Sequence, residues 1–394
     1  MDSITVPTLR RLMENDSTLV ELRVSPDYGG DPGKKYYLAR RDISDIFPRG
    51  AGWRVAGGIV GNNRSLSSLK VCEPPGTQSG ESVKKLAEFF EGAERNRCIE
   101  RLSFVGLDIW GGAPFSLMVP LLEGNCNLTT LCVSNSRIGD EGVQLLASAL
   151  SSCDSHMLES IALCNCSIDA GEPFEEFLYA LYQDDVSTLR KLNLNGNNIG
   201  RNGCAAIGKM LADRRCNLKT LHLKNNRVDD VGIVLLTERL AHNQKLERLD
   251  IAKGNSITRE GWDSLSKFLC NNATINDTFL SNHTLTDVGQ AQGLKLPKAL
   301  ASHLKLNHKT KLGERPFAPV QKILDNHHDW DMTHYIEEEL HLLPHIIEWF
   351  DRASAANGNF AGITTKKRKH NARILWKRQM LTIHQFVCAF PLVR

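Results

Sequence analysis

Residues 189–200 read LRKLNLNGNNIG, and twenty-nine residues further on the chain reads LKTLHLKNNRVD. A phrase repeated at fixed spacing restricts the fold more tightly than composition does, because each copy must make one structural unit that stacks on the next. Aligned on the first apolar residue of L-x-x-L-x-L, the copies start at Leu66, Ile99, Leu128, Leu158, Leu189, Leu218, Leu246 and Ile275, the last four intervals being 31, 29, 28 and 29 residues.

The triplets Leu128/Leu131/Val133, Leu158/Ile161/Leu163, Leu189/Leu192/Leu194, Leu218/Leu221/Leu223 and Leu246/Leu249/Ile251 end in the two-residue step of a short strand that points alternate side chains into one core. Asn197 and Asn226 follow three residues after their strands, where a buried amide satisfies a turning backbone. An aliphatic residue comes next (Ile138, Ile168, Ile199, Val228, Ile257, Leu285), then a polar residue such as Asp229, Thr258 or Thr286 that suits a helix N-cap. Leucine or isoleucine falls four and eight places after Gly142, Gly203, Gly232 and Gly261, which is helical spacing.

Strand, turn and helix in about 29 residues resemble the leucine-rich repeat, in its long ribonuclease-inhibitor-like subclass. The resemblance implies an α/β horseshoe solenoid with parallel strands on the concave face and helices on the convex face. It divides the chain into a degenerate N-terminal repeat and capping region (1–65), the repeats (66–300), a helical C-terminal cap (316–352) and a linker with a basic amphipathic tail (353–394). Leu19-x-x-Leu22-x-Val24 reads as the degenerate first repeat, and GWRVAGGIVGNNRSL as a helix feeding the Leu66 unit. The motif departs from its pattern where Ser136, Cys166 and His283 replace the asparagine and Thr278 replaces a strand leucine. Ile251 to Ile257 carries one extra residue, and the units at Leu66, Ile99 and Leu158 lack the regular glycine. Those units are expected to be less regular.

In such a solenoid the residues between the buried ones face the concave groove. These are Lys191, Asn193 and Asn195, then Thr220, His222 and Lys224, then Arg248, Asp250 and Ala252. Together they make a polar, mildly basic patch suited to an unidentified protein partner, or an ordinary solvated sheet face. Interfaces are commonly anchored by Trp, Tyr or Arg; here there is one Arg, and Phe279, expected on the next strand, is the nearest aromatic.

Signatures of chemistry are weak. Gly29-x-x-x-Gly33-Lys34 is one residue short of a phosphate loop, with Lys35 where a magnesium-binding Ser or Thr should stand, so it reads as a turn. Glu337, His341 and His345 have zinc-like spacing, but Pro344 interrupts them and an apolar stripe (Ile336, Leu340, Leu343, Ile347, Phe350) marks the segment as an amphipathic helix. No cofactor and no metal site is expected, and no enzyme. The enzyme-like alternative is a GTPase-activating protein resembling the Ran GTPase activators, which are built on the same long repeat. In that reading an arginine such as Arg137, Arg201 or Arg227, each on a turn after a strand, would project toward a GTPase site. The family's acidic tail is absent, however.

Charge is uneven. The net +3 includes nine Lys or Arg and no Asp or Glu from Arg352 onward, which leaves residues 1–351 at −6. KKRKHNARILWKR holds seven of the cations, and Trp376, Met380, Ile383, Val387 and Phe390 follow at helical steps. Residues 366–394 therefore read as a capping helix that complements the acidic repeats, an import signal, or a contact for nucleic acid or anionic membrane. Eleven cysteines without CxxC pairs, and an N-terminus without a basic start and apolar core, point to reduced thiols in a cytoplasmic or nuclear protein.

Overall fold

The alternation written into the repeat becomes an open parallel sheet. The computed structural model describes residues 7–25, 37–39, 52–72, 80–106, 116–123, 125, 127–152, 157–183, 187–241, 243–289, 296–311 and 317–326. Nine strands are β1 (Glu21–Ser25), β2 (Tyr37–Ala39), β3 (Ser68–Cys72), β4 (Arg101–Val105), β5 (Thr130–Ser134), β6 (Ser160–Cys164), β7 (Lys191–Asn193), β8 (Thr220–His222) and β9 (Arg248–Asp250). Their order is β2-β1-β3-β4-β5-β6-β7-β8-β9, so from β3 onward each strand lies beside its successor. Leu22, Leu69, Leu102, Leu131, Ile161, Leu192, Leu221 and Leu249 match in register from β1 across to β9, and each is at most 1% exposed. Full burial of one such side chain stabilises by about 1.5–3 kcal/mol. No single unit could form this row alone. The degenerate first repeat takes its expected place as β1; β2, which pairs on its outer edge, had no signature in the sequence.

Before, between and after these strands the chain forms α1 (Pro7–Met13), α2 (Gly52–Asn62), α3 (Gly80–Ala93), α4 (Val119–Glu123), α5 (Gly139–Ser151), α6 (Glu172–Ala180), α7 (Arg201–Ala212), α8 (Asp230–Leu240) and α9 (Arg259–Leu269). The repeat glycines sit inside these helices because the preceding aliphatic residue folds back on them. A Cβ on Gly142 would lie 2.5 Å from Ile138 Cβ, and one on Gly203 would lie 2.6 Å from Ile199 Cγ2. Asp229 caps α8 as expected, its Oδ1 accepting the Gly232 N–H at 2.9 Å. The Leu158 unit is irregular, as its missing glycine foretold. Ser167 and Ala170 hold φ of +58° and +60°, a region costly for side-chain-bearing residues, and α6 is only 9 residues long.

Two asparagine series tie the turns together. Asn197, 5% exposed, accepts the N–H groups of Cys166 (3.0 Å) and Ile168 (3.3 Å) and donates to the carbonyls of Leu163 (2.7 Å) and Leu194 (2.9 Å). One repeat on, Asn226 accepts the Ile199 N–H and donates to the carbonyls of Leu194 and Lys224; two repeats on, Asn255 makes the full set of four bonds despite the extra residue in its unit. The second series lies where helices hand over to strands. Asn63, Asn96, Asn243 and Asn282 each stand three residues before the first strand leucine or isoleucine and accept its N–H.

The chain forms two compact units, one of residues 1–269 with 282–308 and a second of 270–281 with 309–394. The last repeat departs from its sequence reading. Ile275–Leu280 is a helix, α10, so Phe279 stands on a helix and not on a strand. Local polar bonds explain it. Thr274 caps the helix by accepting the Asp277 N–H at 3.0 Å, and Thr278, fully buried, donates its hydroxyl to the Asn271 carbonyl at 2.7 Å. The position beside β9 is filled by residues 285–288. Leu249 N–H donates to Asp287 O at 2.9 Å, Ile251 N–H to Val288 O at 3.1 Å, and Asp287 bridges Arg248. Thr286 thus lies beside β9, its hydroxyl donating to the Glu247 carbonyl at 2.9 Å, and His283 is not in the asparagine position.

The helix α11 (Lys298–Lys311) begins in the first unit, where its Asn307 donates to the carbonyls of Asn282 and Leu285. In the second, α12 (Phe317–Asn326) buries Lys322 completely, and that burial lowers its pKa to about 7. The remainder of the expected cap (327–352), the tail, Gly29–Lys35 and the Glu337/His341/His345 set lie outside the described residues. No helix among the described residues is long and apolar enough to cross a membrane.

Candidate protein-binding face

Because Leu192, Leu194, Leu221, Leu223, Leu249 and Ile251 point into the core, the residues between them must point the other way. Register sets them in rows. Lys191, Thr220 and Arg248 are matched across β7, β8 and β9; Asn193, His222 and Asp250 form the next row. Beyond it, Asn195 Oδ1 accepts the Lys224 N–H at 2.7 Å, and Asn193 Oδ1 accepts the Asn195 N–H at 3.1 Å. Eight of the nine expected residues are therefore assembled on one face. Phe279, on α10 in the second unit, is not among them.

The charges are ordered more tightly than the sequence suggested. Asp250 is only 6% exposed, and its Oδ2 holds Lys224 Nζ at 2.8 Å and His222 Nδ1 at 3.1 Å. Arg248 turns to Asp287, with Nε at 2.9 Å and Nη2 at 2.7 Å from the same Oδ2. Two of the three cations are thus paired, and the patch carries one net positive charge, with Lys191 as its exposed cation. Asp287 was missed because its strand position was assigned ten residues too early; the signal was Asn282-x-x-Leu285, which repeats Asn243-x-x-Leu246. Asp250 also explains Gly289, whose φ is +82°: a Cβ there would collide with Asp250 Oδ1.

Elsewhere on this face stand Cys132 and Cys164, Cys132 Sγ lying 3.3 Å from Ser134 Oγ. Burial raises the Cys164 pKa, pushes Cys204 up to about 12, and raises Cys166 and Cys216 as well. Protonated thiols are poor nucleophiles and poor ligands, and the buried Cys166, Cys204 and Cys216 act as small apolar fillers. Cys166 occupies the asparagine position and directs its thiol to the Val133 carbonyl at 3.3 Å. Among the described residues no group of three His, Cys, Asp or Glu could hold a metal. All three turn arginines are exposed, and Arg201 is tied to Asp229 at 2.7 Å.

Stacked strand-turn-helix units of this length, with an asparagine ladder and an open parallel sheet, define a leucine-rich-repeat solenoid. The Leucine Rich repeat family matches residues 124–147, 187–208 and 215–236, and the repeats are of the ribonuclease-inhibitor-like kind. Ribonuclease inhibitor from Sus scrofa is 32% identical over 126 residues, covering 32% of this chain and 26% of its own. NACHT, LRR and PYD domains-containing protein 3 from Rattus norvegicus is 26% identical over 200 residues, 48% of this chain and 16% of its own. The chain thus spans about a quarter or less of these relatives. Among solved structures, leiomodin-1 actin-binding site 2 is 18% identical and covers 46% of this chain and 95% of that one, with a TM-score of 0.35.

Proposed function

We propose that this chain is a non-enzymatic scaffold that binds a protein partner through the concave array of Lys191, Asn193, Asn195, Thr220, His222, Lys224, Arg248 and Asp250. Leucine-rich repeats generally serve protein–protein interaction. The observation that carries the reading is preorganisation. Asp250 fixes two side chains of the array and Asp287 fixes a third. Each immobilised long side chain would otherwise cost a partner about 0.5–1.5 kcal/mol on binding. Lys191 and the side-chain N–H groups of Asn193 are left to make new contacts.

The test compares affinity capture from cell extract by the intact chain and by a Lys191→Glu/Asn193→Arg variant. Changing Lys224 or Arg248 would strand Asp250 or Asp287, so those residues are left intact. A partner lost with the variant, at unchanged circular dichroism, supports the reading. Partners that all persist would refute it.

A further inference from the structure

We propose that the convex cleft between α5, α6 and α7 is a second docking site, which takes a basic amphipathic helix of a partner protein. The cleft measures about 550 Å³ and lies on the helical side of the solenoid, away from the concave array. Its floor is built of small or aliphatic buried groups, Ala147 from α5, Leu178 from α6 and Ala206 from α7, which leave room for a visitor's aliphatic side chains.

Its wall is aromatic. Tyr179 is 54% exposed. Tyr182 meets it edge to face with ring centres 5.6 Å apart, and the Arg215 guanidinium stands 5.3 Å from the Tyr182 ring centre. Arg215 is locked in turn by Asp213, at 3.0 and 2.9 Å, and by the Gln183 carbonyl at 3.1 Å. Tyr and Arg are the residue types that dominate binding hot spots, and a ring already held in place loses little freedom on binding. The concave array has Arg248 but no Tyr or Trp.

Charge names the occupant. Helices α5 and α6 carry Asp140, Glu141, Glu172, Glu175 and Glu176 and no Lys or Arg. Lys209 of α7 enters the cleft but is paired with Glu175 at 3.0 Å. The first four carboxylates have a sufficient reason in the dipoles of their own helices, since they sit in or beside first turns. Glu176 has none. It is exposed on the cleft rim with no ion-pair partner among the described residues. A helix with aliphatic residues at i, i+3, i+4 and i+7 and Lys or Arg on its flanks would set the first against the floor and Tyr179, and the second against Glu176.

The test uses the full chain and a fluorescent peptide of about 18 residues with Leu at helical spacing and Lys elsewhere, beside a twin with Glu for Lys. Binding is read by anisotropy, and amide exchange maps the site. Tyr179→Ser and Glu176→Lys are each expected to weaken the Lys peptide by at least about 10-fold, with a strong salt dependence. Lys191→Glu, on the other face, should leave it unchanged, and bound peptide should protect α6. The proposal is overturned if neither cleft variant weakens binding or if the Glu peptide binds as tightly. It is also overturned if, without peptide, deleting residues 366–394 exposes α6 to exchange, because the chain's own basic segment would then be the occupant.

Discussion

Asn197→Ala should be among the most damaging single changes in the repeats. The side chain makes four hydrogen bonds of 2.7–3.3 Å at 5% exposure. Removing it strands the N–H groups of Cys166 and Ile168 and the Leu163 carbonyl; the Leu194 carbonyl keeps Asn226 as a donor at 3.0 Å. Each buried group left unpaired costs about 1–3 kcal/mol. The space vacated by the amide admits a water that recovers part of this, so the net loss is expected at about 3–5 kcal/mol. Urea unfolding followed by circular dichroism at 222 nm should show the midpoint falling by about 1–2 M with an unchanged slope. The control is Asn198→Ala. That half-exposed neighbour donates only to Asp169 Oδ1, at 2.7 Å, and its loss should cost under about 1 kcal/mol. If the two variants unfold at the same urea concentration, the ladder does not hold the turns and the argument fails.

Cys166→Asn should restore the ladder at its thiol-bearing rung and raise stability by about 1 kcal/mol, provided the amide recovers the bonds that a thiol makes weakly. A lower midpoint in the same urea assay would show that the thiol is there for packing. Gly57→Val drives a side chain into the Phe89 carbonyl across the α2–α3 contact and should cost at least about 2–3 kcal/mol, whereas Gly58→Ala, which faces open space, should be nearly neutral. Equal thermal midpoints for the two would refute the close approach. Lys322 has a folded pKa lowered to about 7, so between there and the ordinary lysine value the unfolded chain binds a proton that the folded one does not, and stability rises with pH. Amide exchange in α12 should slow from pH 7 to 9.5, after correction for intrinsic rates, and Lys322→Met should abolish that dependence; a persistent slope would place its origin elsewhere.

The repeats were legible because their signals are one-residue chemistry at fixed spacing. Leucines alternate into the core, asparagine replaces backbone partners, and glycine admits the folded-back isoleucine. What failed was the end of the array. Ile275 keeps the period, but Thr274 and Thr278 offer the backbone local partners, and such bonds favour a capped turn of helix over a strand. The handover series ending in Asn282 would have moved the strand to Leu285. On the face itself, the sequence named eight residues that share it but not their pairing, because ion pairs across strands depend on register and on Asp287, which the misplaced strand had hidden. The cleft beside Tyr179 was invisible for a related reason: α5, α6 and α7 come from three different repeats, and only stacking brings them together.

Asp250 is the residue whose presence stability explains least. At the matching row position β1 and β3 carry Arg23 and Lys70, but β4 to β8 carry Ser103, Cys132, Ala162, Asn193 and His222, so the fold tolerates groups other than a carboxylate there. A carboxylate at 6% exposure is costly, and only Lys224 and His222 offset it. Asp250→Asn keeps the shape and a carbonyl oxygen for His222 or Lys224, and Gly289 keeps its room. Losing the charge relieves desolvation while weakening two contacts, so the stability change should stay within about 1 kcal/mol in either direction. Partner capture should nonetheless fall, because Lys224 is released from its fixed position. If capture is unaffected while Lys191→Glu/Asn193→Arg abolishes it, preorganisation by Asp250 is not what prepares the face. If stability collapses, Asp250 is a structural residue, and the surface that binds must be sought on Lys191, Asn193 and Asn195 alone.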